Sequence, residues 1–177
     1  MKNEILSLLP EINLIGDPQL REMTLTIWTD AVARGGWTPA DLLQMPFTLL
    51  IKKVHVNIIE HTRAVTTTSL RIGEILNESY KGRVKIDRDV LLAGAILHDV
   101  GKLFEYTRDK DVFVKSREGE LLRHPVSGAA FGFKYGLSQE ILHIIAAHSK
   151  EGDGSRRTIE AVIVNHADFV NFDVFKE

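Results

Sequence analysis

Four positions of this 177-residue chain place imidazole or carboxylate chemistry where helical spacing turns it inward. His61 belongs to the run Val54, Ile58, His61, Val65, Thr68, Ile72 and Ile75, which alternates four- and three-residue steps and so follows one helical face. His98 has Leu91 and Ala95 seven and three residues before it, and His148 has Ile141 and Ile145 in the same relation. Asp168 follows Ala161 and Val164 at seven and four. Burying a carboxylate alone is costly, so Asp168, and Asp99 beside His98, point to a charge-compensated cluster. A divalent ion would provide that compensation. Imidazole with carboxylate suits Fe, Mn, Zn, Co or Ni. Neighbours such as His98 and Asp99 differ by roughly 100° around a helix axis. They can reach one site from two directions, or let the carboxylate bridge two ions. Two ions roughly 3.5–4 Å apart can hold a hydroxide and polarise a phosphoryl oxygen.

The bland account is that an isolated histidine on an apolar face is a hydrogen-bonded core residue. His55, His143 and His166 are assigned to that class or to the surface. Asp99 would then be a helix-end residue, and Lys102 a lysine compensating the helix dipole. That account must explain each inward position separately, whereas a metal cluster explains them together.

The elements that position these residues are helical nearly throughout. A short helix is expected over about Glu4 to Leu9, and Asp17-Pro18 is a cap followed by proline at the first helical position, opening a helix toward Ala33. Thr38-Pro39 repeats that signal. The long helix carrying His61 closes at Lys81-Gly82. Asp87 caps a helix whose body, Val90 to Leu97, is apolar on all sides, as a fully buried helix requires. It runs into His98-Asp99-Val100-Gly101-Lys102, with Gly101 read as the C-cap. The stretch Phe104 to Arg123 is the least helical, with Val112-Phe113-Val114 and a turn at Arg117-Glu118-Gly119 reading as a small β-hairpin or flap. Helices resume over Val126 to Tyr135, from the Ser138 cap to His148, and from Thr158 to Phe172, with a polar loop at Lys150 to Ser155. The expectation is an all-α fold in a single domain over 1–177, with 1–50 as a helical extension and 51–177 as the core.

Composition bounds the chemistry. Apolar residues make up 44% and charged residues 26%, a globular mixture. There are no cysteines, which excludes thiolate metal sites, a cysteine nucleophile and disulfides. The net charge of −2 gives no global attraction to nucleic acid or an anionic membrane. The longest apolar run near the middle, Val90 to Leu97, is too short to span a bilayer. No targeting segment is evident, so the expected location is cytoplasmic.

At these residues the sequence resembles the HD-domain metal-dependent phosphohydrolases. His61, then His98-Asp99, then Asp168 follow the family's H…HD…D order, and "HTRAV" at 61–65, "LLAGAILHDVGK" at 91–102, "HPVSGAAF" at 124–131 and "ILHIIAAHSKEG" at 141–152 agree with it. The likeness covers about residues 54–173. It implies an all-α HD fold and two divalent ions. One would be held by His61, His98, Asp99 and Asp168, and the second by Asp99 (bridging), His124 and His148. It also implies Asp99 and Lys102 as catalytic groups, Lys102 contacting substrate phosphate. The implied activity is hydrolysis of a small phosphate ester by a metal-bridging hydroxide, as a phosphodiesterase or nucleotidase. Arg123 and Ser127 fall near the substrate on this reading, the 104–123 loop would act as a lid, and no leaving-group acid is identified.

The local words are most similar to the HD part of ribonuclease Y-type proteins, but the KH module and membrane anchor of those proteins are not seen, nor is a basic RNA-binding face. Nucleic acid is therefore disfavoured against a small phosphorylated substrate. "HSKEGDGSRR" departs from the corresponding stretch of the HD-GYP cyclic-di-GMP phosphodiesterases. A cyclic phosphodiester, as in archaeal pterin-pathway phosphodiesterases, is one substrate class within the resemblance. The alternatives are an HD-type di-iron oxygenase, which uses the same ligand types for O₂ chemistry, and a non-catalytic nucleotide-binding module. The apolar N-terminal helices are read as packing within the chain or as elements of a homodimer.

Overall fold

A computed structural model of the chain describes residues 1–52 and 54–176. The N-terminal helices are α1 (Lys2–Leu8), a 3-10 turn at Pro10–Leu14, α2 (Pro18–Arg34) and the short α3 (Pro39–Leu42). They are followed by α4 (Ile58–Tyr80), α5 (Arg88–Leu97) and α6 (Lys102–Glu105). Strands β1 (Tyr106–Asp109) and β2 (Val112–Lys115) form an antiparallel hairpin. The chain then forms α7 (Arg117–Leu121), α8 (His124–Phe133), α9 (Gln139–Ala147), a 3-10 turn at Lys150–Gly152 and α10 (Ile159–Asp173). The fold is helical, with this hairpin as its sheet among the described residues.

The caps lie where the sequence puts them. Asp17 accepts the N–H groups of Gln19 and Leu20 ahead of α2, and Asp87 those of Asp89 and Val90 ahead of α5. Ser138 accepts from Ile141, and Thr158 from Ala161. Each satisfies one or two of the donors a helix start leaves open. The long helix begins later than its apolar stripe. Asn57 and Glu60 close a capping box, and the preceding Val56 pairs with Phe47 as an extended segment. Its stripe also leaves the core. A step of 3.5 residues drifts about 20° per heptad against a 3.6-residue helix, so burial passes from Ile58, His61 and Val65 to Ser69 and Gly73, while Ile75 is 59% exposed.

At two other places the structure departs from the local pattern of the sequence. Gly101 is not a C-cap: His98 already ends α5 in the right-handed helical region, and Gly101 (φ −64°) starts α6. Arg117-Glu118-Gly119 is not the hairpin turn. It lies in α7, capped by Ser116, and the hairpin reverses at Lys110, which takes the positive φ of 55°.

Helix α5 is apolar all round because it is covered on two sides. Leu92, Ala93, Ile96 and Leu97 join a cluster with Ile5, Leu9, Ile12, Ile15, Trp28 and Val100. Leu91 and Ala95 join a second with Val65, Ile144, Ala161, Val164 and Ala167. The apolar side chains Ile5, Leu9, Ile12 and Ile15 of the N-terminal segment are thus spent inside the chain. Near the end of α5 the Trp28 indole donates to Ile96 O at 3.0 Å, and in α6 the Leu103 carbonyl accepts the Trp37 indole N–H at 2.9 Å. Among the described residues, no helix is long and apolar enough to cross a membrane.

Candidate metal centre

Five elements deliver side chains to one buried point. His61 comes from the first turns of α4, His98 and Asp99 from the end of α5, His124 from the start of α8, His148 from the end of α9 and Asp168 from α10. His61, His98, Asp99 and His148 are at most 1% exposed, and His124 is 6% exposed. All six residues that the sequence nominated as ligands therefore meet.

The orientation of the rings follows from what holds their outer nitrogens. His98 and His148 each sit just past a helix end, where carbonyls lack partners. The Nδ1–H of His98 donates to Ala95 O at 2.7 Å, and that of His148 to Ile145 O at 2.8 Å. A carbonyl can only accept, so Nδ1 keeps its proton and Nε2 is the atom that each ring turns inward. Burial opposes protonation of His98, but Asp99 and Asp168 outweigh it and raise the ring. His124 gives its Nδ1–H to the carboxylate of Glu105 at 2.7 Å. Its Nε2 then faces Nε2 of His148 at 3.3 Å.

Asp99 divides the cluster. Its Oδ2 lies 3.5 Å from His61 Nε2 and 3.2 Å from His98 Nε2, while its Oδ1 lies 3.3 Å from His124 Nε2 and 3.6 Å from His148 Nε2. Asp168 Oδ1 is 3.0 Å from His61 Nε2 and 3.9 Å from His98 Nε2. Two groups bring ligand atoms within 4.8 Å of one another: His61, His98 and Asp168, and His98, Asp99 and His148. Among the described residues, His98 Nε2 and Asp99 Oδ1, both turned into the cluster, are buried without hydrogen-bond partners, as is the outer nitrogen of His61, Nδ1. Facing lone pairs repel unless a cation or proton lies between them. The donor set therefore fits a divalent metal.

Electrostatics agree with a charged core. Burial opposes ionisation of Asp99, but Lys102 and His98 outweigh it and hold the carboxyl well below its ordinary value. Asp168 is likewise opposed by burial yet drawn down to about 2, chiefly by its hydrogen bond to His61. His61 and His124 are pushed down by burial and so favour neutral, ligand-competent rings. The Lys102 ammonium is buried, yet Asp99 raises it far above its ordinary range. It bonds Asp99 Oδ2 at 2.5 Å and Phe47 O at 2.7 Å. Two of its three N–H groups are thereby committed.

The cluster opens into a cavity of about 330 Å³, into which His124 and Asp168 project. Its walls are Leu49, Tyr106, Phe169 and Phe172. Lys102, Lys115, Arg123, Lys150 and Lys176 bring cations to it, partly offset by Glu105 and Glu151, whose carboxylates lie 3.3 and 3.5 Å from Arg123 Nε. Arg123 lies here as the sequence suggested. Ser127 does not; it is buried behind His124, whose carbonyl its hydroxyl approaches at 3.5 Å. His55 and His166 are exposed, and His143 is half-buried, accepting the Thr158 N–H at 3.3 Å.

Two contributors had no periodic signal. Phe47 stacks on His61 with ring centroids 4.4 Å apart. Glu105 holds His124, and lies in the stretch that reads as least helical. A carboxylate three residues after Lys102 was the only trace it left in the sequence.

The HD domain family model matches residues 58–171. A dihydroneopterin 2',3'-cyclic phosphate phosphodiesterase of Methanocaldococcus jannaschii is 35% identical over 112 residues, 63% of this chain and 44% of that protein. Ribonuclease Y of Desulforudis audaxviator is 34% identical over 88 residues, 50% of this chain and 14% of that protein. Ribonuclease Y of Borreliella burgdorferi is 30% identical over 115 residues, 65% of this chain and 19% of that protein. The match thus spans less than half the length of each of these relatives. No solved structure matches significantly.

Proposed function

The chain belongs to the HD-domain family, and on that premise we propose that it is a metal-dependent phosphodiesterase acting on a small, ring-bearing phosphodiester. The observation that carries this reading is the Asp99-centred cluster at the base of a cavity with aromatic walls and a cationic rim. His61, His98, Asp99 and Asp168 would hold one divalent ion, and Asp99, His124 and His148 a second. Mn, Fe, Co, Ni and Zn all suit this donor set. Divalent ions bound there supply Lewis acidity toward water and toward the phosphoryl oxygens.

The chain's own groups do the rest. Lys102 keeps Asp99 ionised and has one N–H left for a phosphate oxygen. Because its ammonium stays protonated far above neutral pH, it acts as a fixed charge and not as a proton donor. Arg123, at the mouth, offers a planar fork that matches phosphate geometry. Phe169, Phe172 and Leu49 offer flat apolar surface to the organic part of the substrate, which positions the ester over the cluster.

Cavity size favours a small substrate over RNA. About 330 Å³ lies at the lower end of the range for small-molecule sites, and Phe172 and Lys176 wall one side of it. A cyclic phosphodiester, the substrate class in the name of the Methanocaldococcus relative, fits these limits.

The test is hydrolysis of a nucleoside 2',3'-cyclic phosphate against cleavage of a short single-stranded RNA, with Mn²⁺- and Fe²⁺-loaded protein. The cyclic ester is expected to show kcat/KM at least tenfold higher. RNA cleavage with no attack on the cyclic ester would overturn the reading. So would O₂ uptake without phosphate ester hydrolysis.

A further inference from the structure

His124 differs from the two histidines nearest to it in what holds it. The Nδ1–H groups of His98 and His148 rest on neutral backbone carbonyls three residues back, a contact that no side-chain substitution removes. The Nδ1–H of His124 rests on the carboxylate of Glu105, from a different helix, at 2.7 Å.

The same oxygen does a second task. Arg123 occupies the N-cap position of α8 without a side-chain bond to the helix. Glu105 Oε2 accepts the His124 backbone N–H at 2.7 Å instead. It thereby satisfies one of the donors exposed at the start of α8 and fixes the ring of the same residue. Its other oxygen lies 3.3 Å from Arg123 Nε and 4.0 Å from Lys115 Nζ.

Glu105 is itself held firmly. It is 3% exposed. Its carbonyl accepts the Ser116 N–H at 2.8 Å, and the Ser116 hydroxyl donates to Phe104 O at 2.5 Å. Glycines allow the close approach: a Cβ at Gly119 would strike the Glu105 carbonyl, and one at Gly101 the His124 carbonyl. The hairpin and α7 thus clasp α6 against the first turn of α8.

We propose that Glu105 is a positioning residue that determines whether the second metal position, on the Asp99 Oδ1 side, fills. This rests on the dinuclear reading above. A carboxylate behind an imidazole fixes the tautomer and strengthens the ring as a donor. Of the three Nδ1–H-anchored rings, His124 alone has such support, so loss of Glu105 weakens the second position and spares the first.

The test is Mn²⁺ titration of metal-free protein, followed by the electron paramagnetic resonance of free and bound ion, on wild type, Glu105→Met and Glu105→Gln. Met keeps the length of Glu without an acceptor, and Gln restores a neutral acceptor oxygen. Wild type is expected to take two equivalents. In Glu105→Met the second equivalent is expected to bind about 10–100-fold more weakly, with the first unchanged. Glu105→Gln is expected to recover part of that loss, and it decides the matter alone if the Met variant does not fold. Imidazole ¹⁵N NMR of the metal-free proteins gives an independent readout. His124 is expected as the Nδ1–H tautomer in wild type and as a mixture in Glu105→Met. Second-equivalent affinity within twofold of wild type in the variants would overturn the proposal, even with a lowered melting temperature, because Glu105 would then only cap α8. A single equivalent in wild type would refute the dinuclear reading itself, and the inference with it.

Discussion

Two buried regions meet along α5 and follow opposite rules. Toward the N-terminal helices, most polar groups trapped by burial find partners; Glu11 Oε2 is an exception among the described residues. The indoles of Trp28 and Trp37 reach backbone carbonyls, and the hydroxyls of Thr24 and Thr29 each reach the carbonyl four residues back at 2.8 Å. At the end of α5, His98 Nε2 and Asp99 Oδ1, both turned into the cluster, are equally buried and lack partners among the described residues. A buried unpaired donor or acceptor costs about 1–3 kcal/mol. The first region is arranged to hold the chain together. The second tolerates that cost to keep lone pairs convergent, the pattern expected where binding and stability compete.

The sharpest way to break this contrast is His61→Leu. Leucine suits the apolar stripe of α4 and has no buried nitrogen lacking a partner, and Asp168 is exposed enough (15% of its side chain) to exchange its bond to His61 for water. Phosphodiesterase activity is expected to fall at least about a thousandfold, equivalent to about 4 kcal/mol of transition-state stabilisation. The metal-free protein is expected to be as stable as wild type or slightly more stable. Chemical denaturation without metal checks this, and a loss above about 2 kcal/mol, the range of ordinary core damage, would show that the site is part of the structural core.

Trp28→Ala is the converse. It empties a fully buried position and strips the Ile96 carbonyl of its donor. Truncating a buried tryptophan costs about 3–5 kcal/mol, which in a chain of this size lowers the melting temperature by roughly 10 °C. Mn²⁺ affinity of the remaining folded protein is expected to stay within a few fold. A parallel collapse of metal binding would show that the two regions are one cooperative unit.

The same contrast explains what was legible in the sequence. His61, His98, His148 and Asp168 could be found because each sits at helical spacing behind apolar residues, a local signal. The caps at Asp17, Asp87, Ser138 and Thr158 are local too. His124 has no such pattern, and only the family likeness nominated it. Glu105 was invisible because its partner lies 19 residues away, across a hairpin and α7. The indole bonds that tie the N-terminal helices to α5 and α6 span 68 and 66 residues. Gly101 departs from its expected role for a related reason: a glycine after a helix usually marks its end, but here it admits the His124 carbonyl at close range. Residues whose role is set by a distant backbone leave little periodic trace.

The smallest expected effect lies at Tyr135, on the surface between the two regions. The hydroxyl of Tyr135, at the corner between α8 and α9, donates to Asp30 of α2 at 2.9 Å, linking the two halves of the molecule by a polar contact open to water. Burial, then the hydrogen bond to Asp30, raises its phenol to about 12, above its ordinary value of about 10. A group raised on folding contributes its stability in full below the unfolded value and loses it as the pH climbs through the folded one. The tie is therefore intact near neutrality and fades between about pH 10 and 12. Because the group is largely solvated, Tyr135→Phe is expected to cost only about 0.5 kcal/mol at pH 8. Denaturant midpoints at pH 8 and pH 11 check the sign: the gap between wild type and variant should narrow at the higher pH. A gap that widens would mean that the tie is strongest with the phenol ionised, and that a cation, not Asp30, is its partner.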